Sequence, residues 1–309
     1  MKTYIIIAIA AFLISNNTYS QGQIKTLNKG NVNKDLKYSS DILGYDVHFT
    51  VYLPPDYGKT EKKYPVLYLL HGFTGNHKSW IKNGKINSIM DNGIASGEIE
   101  PMIIIIPDGK YYWYINDYQN IARYEDFVFE ELLPYIDKNY NTIPSKEYRA
   151  VAGLSMGGYG TLVWAMQHPD KFSYAVALSA SMFNEDGIIS MPDQLYKYMS
   201  MLYGAPEAKG NDRVTDYYLQ YSPLFMAQNN PTDDLRSVNW FIDCGNQDQL
   251  SVVNKNLHEI FVERNIEHVY YSRDGGHDWD FWRSGIYDGL IFISDGMRNK
   301  SSLPASAGM

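Results

Sequence analysis

Ala152-Gly153-Leu154-Ser155-Met156-Gly157-Gly158 is the stretch from which the fold is inferred, because it contains the spacing G-x-S-x-G. Residues 147–151 predict a short strand before it, and residues 159–166 predict a helix after it. A serine on a sharp turn between a strand and a helix forms a nucleophile elbow, where glycines avoid side chains that the strained turn cannot hold. The start of the helix would direct free N–H groups towards the Ser155 hydroxyl. The alternative is an ordinary glycine-rich turn, and the flanking elements argue against it.

Composition sets the broad class of the protein. The chain has 309 residues, enough for one large α/β domain or two small ones, and 45% of them are hydrophobic, which suffices for a core. The net charge of −8 gives no electrostatic footprint for binding nucleic acid. The 27 tyrosines suit sugar or phenolic ligands, with core packing as the alternative.

The first residues have the layout of a secretory signal peptide, which we assign to residues 1–20. Lys2 gives a basic start, Ile5 to Ile14 is apolar and uncharged, and residues 15–20 are polar. The layout predicts a secreted or periplasmic protein, with a buried N-terminal helix as the alternative. The apolar run is too short to span a bilayer, and no cysteine lies near the cleavage region, so we expect no membrane anchor.

Strands and helices alternate along the rest of the chain. This order predicts a mostly parallel central sheet with helices on both faces. A catalytic domain is expected over residues 41–297, between a polar lead-in at 21–40 and a flexible tail at 298–309. The predicted strands are 47–53, 64–70, 102–106, 174–179, 238–244 and 268–272, and the predicted helices are 79–96, 123–138, 250–264 and 278–297.

Residues 180–236 interrupt this alternation before the strand at 238–244. They contain methionines, tyrosines and prolines with short helical patterns. A segment of this length without regular alternation, inside a compact domain, is usually a functional insertion.

A serine hydroxyl needs a base within hydrogen-bond reach and a third group that orients the base. In this architecture reactive groups lie on loops after the strands, in the chain order Ser, acid, His. His277 follows the last strand in a loop that two glycines make adaptable, so we assign it as the base. His168, His258 and His268 fall on helices or strands and are less suitable.

Asp248 is the predicted acid, because it lies on the loop directly after the strand at 238–244. Asp243 is the second candidate, but it lies within that strand. Asp278 and Asp280 neighbour the histidine at a helix start, which suits capping better.

An oxyanion hole requires two backbone N–H groups. Met156, directly after the nucleophile, should supply one, and Phe73, in the loop after the strand at 64–70, should supply the other. His71 in that loop is expected to be structural. Cys244 is the single cysteine, which excludes an intramolecular disulfide, and it follows an apolar run that predicts a buried, inert thiol.

No cofactor or metal is expected, because the sequence has no GxGxxG loop, no GxxxxGK[ST] loop and no HExxH spacing. Aromatic side chains are concentrated near the predicted site instead. These side chains can stack on sugar or phenolic groups. The alternative interpretation is that they pack in the hydrophobic core. As substrate-binding residues we assign Tyr111, Tyr112, Trp113, Trp279 and Trp282.

Four segments together resemble the family of esterase D-like enzymes and carbohydrate esterase family 1, which includes feruloyl and acetylxylan esterases. The resemblance covers roughly residues 40–297 and implies the α/β-hydrolase fold with a Ser155, Asp248 and His277 triad. The four segments are Leu70-His71-Gly72-Phe73, residues 153–160, Cys244-Gly245-Asn246-Gln247-Asp248 and residues 275–282.

The expected function is a secreted serine carboxylesterase that cleaves feruloyl or acetyl esters, on a small ester or an acylated oligosaccharide. Alternatives are a general short-chain carboxylesterase of the tributyrin or S-formylglutathione hydrolase type, and an acyltransferase of the mycolyltransferase type. A binding domain without catalytic activity is a further alternative, and the complete triad argues against it.

Overall fold

A single eight-stranded sheet forms the centre of the protein, in a computed structural model that describes residues 28–301. The strand order across the sheet is β1-β2-β4-β3-β5-β6-β7-β8. The strands are β1 (Asn31–Ser39), β2 (Asp46–Leu53), β3 (Val66–Leu70), β4 (Ile103–Pro107), β5 (Arg149–Leu154), β6 (Tyr174–Leu178), β7 (Asn239–Gly245) and β8 (His268–Arg273).

The predicted mostly parallel sheet is confirmed. Neighbouring strands are parallel from β4 through β3, β5, β6 and β7 to β8, whereas β2 runs antiparallel to both β1 and β4. Strands β3 to β6 are buried along their whole length, as their continuous apolar sequences require.

Helices follow most of the strands, and short helices fill the insertion. No helix within the described residues is long and apolar enough to cross a membrane. The helices are α1 (Ser79–Lys82), α2 (Ile86–Ser96), α3 (Tyr124–Asp126), α4 (Leu133–Asn139), α5 (Met156–Gln167), α6 (Glu185–Ile189), α7 (Asp193–Tyr203), α8 (Asp216–Gln220), α9 (Pro223–Asn229), α10 (Thr232–Arg236), α11 (Ser251–Glu263) and α12 (Trp279–Ser301), with a π-helical turn at Phe127–Leu132 and 3₁₀ turns at Lys146–Tyr148 and Gly210–Arg213.

The sheet separates two hydrophobic cores. In β3, Val66, Tyr68 and Leu70 face one core, while Leu67 and Leu69 face the other, as the strand period of two dictates. Helices α5 and α11 pack on the first face, and α2 and α12 pack on the second. The predicted placement of helices on both faces is therefore correct.

Three expectations from the sequence need correction. Residues 31–39 of the expected lead-in form the edge strand β1, which pairs with β2. The helix expected at 123–138 is divided by the π-helical turn, and α4 begins at Leu133, where Pro134 in the first turn has no N–H to continue the earlier bonds. The helix expected at 79–96 is interrupted at Lys85, which has a left-handed backbone with φ of 54°.

The ends of the chain fall partly outside the described residues. The predicted signal peptide at residues 1–20 lies wholly outside them. Of the tail expected from residue 298, the part up to Ser301 continues α12, and residues 302–309 are outside the described range.

The insertion at 180–236 contains α6 to α10 and is fixed to the first face of the sheet. Tyr159 of α5 donates a hydrogen bond from its hydroxyl to the carbonyl of Tyr221, at 2.9 Å. The hydroxyl of Tyr203 in turn donates to the hydroxyl of Tyr159, at 3.2 Å. The insertion therefore packs directly on the helix that begins at Ser155.

Gly157 leaves no space for a side chain where α5 starts. A Cβ atom there would lie 2.5 Å from the carbonyl oxygen of Leu70 and 2.8 Å from that of His71, and a shift of either backbone atom would disturb the strand to which it belongs or the loop that follows it.

We expect Gly157→Ala to lower the free energy of unfolding by about 3 kcal/mol, as overpacking does in other cores. Chemical denaturation measures the loss. Gly276→Ala is the control, because its Cβ would meet the nearest atom, on Asp278, at an ordinary 3.9 Å. Equal stability of the two variants would refute the packing argument.

Candidate active site

Ser155 stands at the junction of β5 and α5 in a strained backbone, with φ of 54° and ψ of −117°. Its N–H donates to the carbonyl of Leu178 at 2.9 Å, and its own carbonyl accepts from the N–H of Ser181 at 3.0 Å. A non-glycine residue with positive φ persists only where its surroundings enforce it, and such residues concentrate at functional sites. The strand, turn and helix predicted around Ser155 are all present.

Three loops at the carboxyl ends of β5, β7 and β8 bring together the three predicted triad residues. Nε2 of His277 lies 2.9 Å from Oγ of Ser155, and Nδ1 of His277 lies 2.8 Å from Oδ2 of Asp248. Both distances are those of hydrogen bonds. An imidazole held in this way can take a proton from the serine hydroxyl, and the carboxylate stabilises the imidazolium that forms.

Asp248 is only 3% exposed, yet its surroundings keep it ionised. Burial alone would raise the pKa of its carboxyl, but hydrogen bonds from His277, from the N–H of Leu250 and from Ser179 outweigh burial and lower the pKa. An ionised carboxylate is the form that orients the histidine and balances its positive charge.

Ser179 is a supporting residue that the sequence reasoning missed. Its hydroxyl bonds to Asp248 and accepts a hydrogen bond from Nε1 of Trp282 at 3.1 Å. The Trp282 ring also meets the His277 ring edge to face, with centroids 4.8 Å apart. In the sequence, the position of Ser179 directly after β6 is the one signal that could have indicated this role.

The two predicted oxyanion donors belong to segments that adjoin Ser155. Met156 starts α5, where helical N–H groups lack partners within the helix. Gly72, which precedes Phe73, is so near that a Cβ on it would lie 3.5 Å from Cβ of Ser155. Among the described residues, neither Met156 nor Phe73 has a hydrogen-bond acceptor for its N–H.

His71 fixes the loop that contains Phe73. Its ring is fully buried, with Nδ1 lying 2.8 Å from the carbonyl oxygen of Gly72 and Nε2 accepting from the N–H of Gly109 at 2.9 Å. Both ring nitrogens are therefore used to hold backbone, which agrees with the structural role expected for this histidine.

A cleft of about 450 Å³ opens onto Ser155. Two of the five predicted substrate-binding aromatic residues, Trp279 and Trp282, line it together with Phe73 and His277. Trp282 is mostly covered, at 6% exposed, so much of its ring serves packing.

Phe73 is also the centre of a group of rings beside the cleft. Its ring centroid lies 5.2 Å from that of Tyr111, 5.7 Å from that of Tyr198 and 6.4 Å from that of Trp113. Tyr111 is 62% exposed, so its ring is available to a ligand. Tyr198 belongs to the insertion and was not predicted. We call Phe73, Tyr111, Trp113 and Tyr198 the ring cluster.

Tyr112 points away from the ring cluster, in contrast to its predicted role. Its ring packs against Tyr124, with centroids 6.2 Å apart. Positive φ angles at Lys110 and Trp113 turn the chain sharply here, so adjacent side chains leave in different directions.

The remaining histidines after Ser155 have other partners. Nε2 of His168 lies 2.8 Å from a carboxylate oxygen of the buried Glu125. Nδ1 of His258 lies 2.7 Å from Nε2 of His268. None of the three lies within the cleft around Ser155. Cys244 is buried, and burial raises the pKa of its thiol to about 12, so it is protonated at neutral pH.

Asp243, the second candidate for the acid, pairs with Arg273 instead. Its carboxylate is fully buried and accepts from Arg273 at 2.6 and 3.0 Å. Burial raises the pKa of Asp243, and Arg273 opposes that shift. The pair joins the ends of β7 and β8, just before the loops that bear Asp248 and His277.

Asp243→Asn and Asp248→Asn should therefore fail in different ways. Asp248→Asn should retain stability and lose about 10⁴-fold in kcat, because the amide favours the wrong tautomer of His277. Asp243→Asn should lose about 2 kcal/mol of stability, because Arg273 keeps its charge without its buried partner. Ester hydrolysis and denaturant unfolding, measured on both variants, separate the two effects. A larger loss of kcat in folded Asp243→Asn would reassign the acid.

Comparison with known proteins places this geometry in a family. The family model described as "Putative esterase" matches residues 40–293. A solved ferulic acid esterase is 32% identical, with a TM-score of 0.75, over 87% of this chain and 99% of that one. An endo-1,4-beta-xylanase/feruloyl esterase of Xylanibacter ruminicola is 38% identical over 175 residues, which are 53% of this chain and 23% of that protein.

An acetyl esterase of Caldicellulosiruptor saccharolyticus is 25% identical over 84% of this chain and 97% of its own length. The chain spans less than two thirds of several other curated relatives, with 58% of two mycobacterial esterases covered. The family match covers most of the chain, and the fold superposes on that of the solved ferulic acid esterase with a TM-score of 0.75. The protein therefore belongs to the esterase family and has the α/β-hydrolase fold.

Proposed function

We propose that this protein is an exported serine carboxylesterase that cleaves feruloyl or acetyl esters, with acylated carbohydrate as the substrate class. The observation that supports it most is the hydrogen-bonded series Ser155–His277–Asp248, of which Ser155 and His277 line an open cleft. The names of the relatives, feruloyl esterase and acetyl esterase, agree with this substrate class.

In the proposed mechanism, Oγ of Ser155 attacks the ester carbonyl while Nε2 of His277 accepts its proton. The N–H groups of Phe73 and Met156 donate to the oxyanion of the tetrahedral intermediate. His277 then protonates the departing alcohol oxygen, which leaves an acyl group on Ser155. Water enters, gives its proton to His277 and attacks the acyl carbonyl, and the collapse of the second intermediate releases the acid.

The ring cluster supports an aromatic acyl group or a sugar as the group that is bound. Planar rings bury a large area at a small entropic cost, and they stack on phenolic and sugar faces. Tyr111 is largely exposed in this cluster, and Trp279 lines the cleft on the side of His277. Export rests on the signal-peptide layout of residues 1–20.

A hydrolysis panel tests the function. The substrates are methyl ferulate, p-nitrophenyl acetate, and feruloylated and acetylated xylo-oligosaccharides. We expect hydrolysis by the wild type and a loss on the order of 10⁴-fold in Ser155→Ala, because triad members act as a unit. Circular dichroism must show that the variant is folded.

The outcomes separate the alternatives. Hydrolysis of p-nitrophenyl acetate without either oligosaccharide ester would indicate a general short-chain esterase. Diversion of the acyl group to an added sugar acceptor would indicate an acyltransferase. Full activity in folded Ser155→Ala would contradict the mechanism altogether.

The ring cluster predicts a difference between two adjacent tyrosines. Tyr111→Ala should lower kcat/KM for methyl ferulate three- to tenfold more than for p-nitrophenyl acetate, because a lost ring contact costs roughly 0.5–1.5 kcal/mol. Tyr112→Ala is the matched control, since that ring packs against Tyr124. It should leave the ratio of the two kcat/KM values unchanged. The same ratio change in both variants would show that Tyr111 does not bind the aromatic group.

A further inference from the structure

Three side chains that are distant in the sequence meet at the edge of the sheet near β1. They are Asp35 of β1, His48 of β2 and His77 of the loop that follows β3. One ligand atom from each lies within 4.8 Å of the others. We propose that Asp35, His48 and His77 form a binding site for a divalent transition metal ion such as Zn²⁺, separate from the cleft at Ser155.

The distances suit an ion between the three side chains. Nε2 of His77 lies 3.6 Å from Oδ1 of Asp35. Zinc binds nitrogen and oxygen ligands at about 2.0–2.2 Å, so two ligands of a tetrahedral site lie roughly 3.4 Å apart. The other ligand atoms lie within 4.8 Å of one another. A small rotation of Asp35, whose side chain is 54% exposed, would bring its carboxylate oxygen to the separation that a zinc site requires.

His77 is held in a form that can coordinate a metal. Nδ1 of His77 lies 3.0 Å from Oγ1 of the buried Thr50, which leaves Nε2 to face Asp35. Metal-binding histidines are usually oriented by such a bond on the opposite nitrogen. The His48 ring stacks beside the His77 ring, with centroids 5.5 Å apart.

His48 provides a second observation in favour of a ligand. Its Nδ1 atom is buried, yet within residues 28–301 it has no hydrogen-bond partner. A buried polar atom without a partner costs free energy, so such atoms call for an explanation. An ion, or a water bound to it, would supply the missing partner.

The backbone at Asp35 is also unusual. Its φ is 60°, and the pairing of β1 with β2 shifts register between Asn33 and Leu36. Such an irregularity redirects a side chain, and bulges concentrate near functional sites. Here it occurs at Asp35, the carboxylate that lies together with the two histidines.

Two imidazoles and one carboxylate define the class of ion. Imidazole favours Zn²⁺, Co²⁺ and Ni²⁺, whereas Ca²⁺ and Mg²⁺ require oxygen ligands. Water would complete the coordination. The ion would join the edge strand β1 to the loop at 71–78, so its expected role is to stabilise that junction. No step of ester hydrolysis passes through it.

Lys78 gives the proposal a sharp test, because its ammonium group pairs with Asp35. A cation at the site would have to displace that ammonium group. Removal of its charge should therefore tighten metal binding, an effect opposite to that of removing a ligand.

The experiment measures Zn²⁺ binding to untagged, chelator-stripped protein by competition with a chromophoric chelator. We expect one strong site per chain, and a rise in Tm of about 5 °C when free Zn²⁺ exceeds Kd a hundredfold. Asp35→Asn and His48→Gln should each weaken binding at least tenfold, and Lys78→Gln should tighten it. Co²⁺-loaded protein should show visible absorption that Asp35→Asn removes.

Two controls exclude other sites. His258→Gln disrupts the remaining histidine pair, and Asp46→Asn removes an exposed carboxylate of the neighbouring strand β2. Neither change should affect Zn²⁺ affinity, and Asp35→Asn should retain the ester hydrolysis of the metal-free protein. Absence of a strong site, loss of binding in His258→Gln, or unchanged affinity in both Asp35→Asn and His48→Gln would overturn the proposal.

Discussion

The close approach of α5 to β3 and β5 is the constraint on which the rest of the structure depends. A Cβ on Gly153 would lie 2.3 Å from the carbonyl oxygen of Gly157, so the strand and the helix meet at backbone distance. This approach forces Ser155 into positive φ, which costs roughly 1–3 kcal/mol. Complete burial of α5 from Met156 to Met166 offsets that cost. The strain at the serine is thus sustained by the core beneath it.

The parallel sheet explains why the candidate triad could be predicted. Carboxyl ends of parallel strands share one edge, so the loops after β5, β7 and β8 lie at the same edge even though Ser155 and His277 are 122 positions apart. The roles of Asp243 and Asp248 were harder to separate. Both lie near the end of β7. Only the structure shows that the carboxylate of Asp243 is already paired with Arg273 on β8. Sequence periodicity tells which face a side chain takes, but it does not identify its partner.

Other features could not be predicted because their sequence signals are weak or non-local. The strand β1 has a mostly polar sequence, since it lies at a half-exposed edge and buries little. Tyr111 and Tyr112 are alike in sequence, and backbone angles at neighbouring residues decide which one joins the ring cluster. The group of Asp35, His48 and His77 has no motif spacing, because strand pairing and one loop bring it together.

Phe73 links substrate binding to the chemistry in the proposed mechanism. Its ring is the centre of the ring cluster, while its N–H is one of the two proposed oxyanion donors. The loop behind it is held by His71, which bonds to the backbone on both sides of its ring. A substrate ring that packs on Phe73 would therefore further restrain the peptide group that faces the oxyanion. Binding energy from a remote aromatic group can in this way favour the transition state and raise kcat as well as affinity. Because Tyr198 of the insertion contacts the same ring, variation in the insertion can change substrate choice while the triad stays fixed.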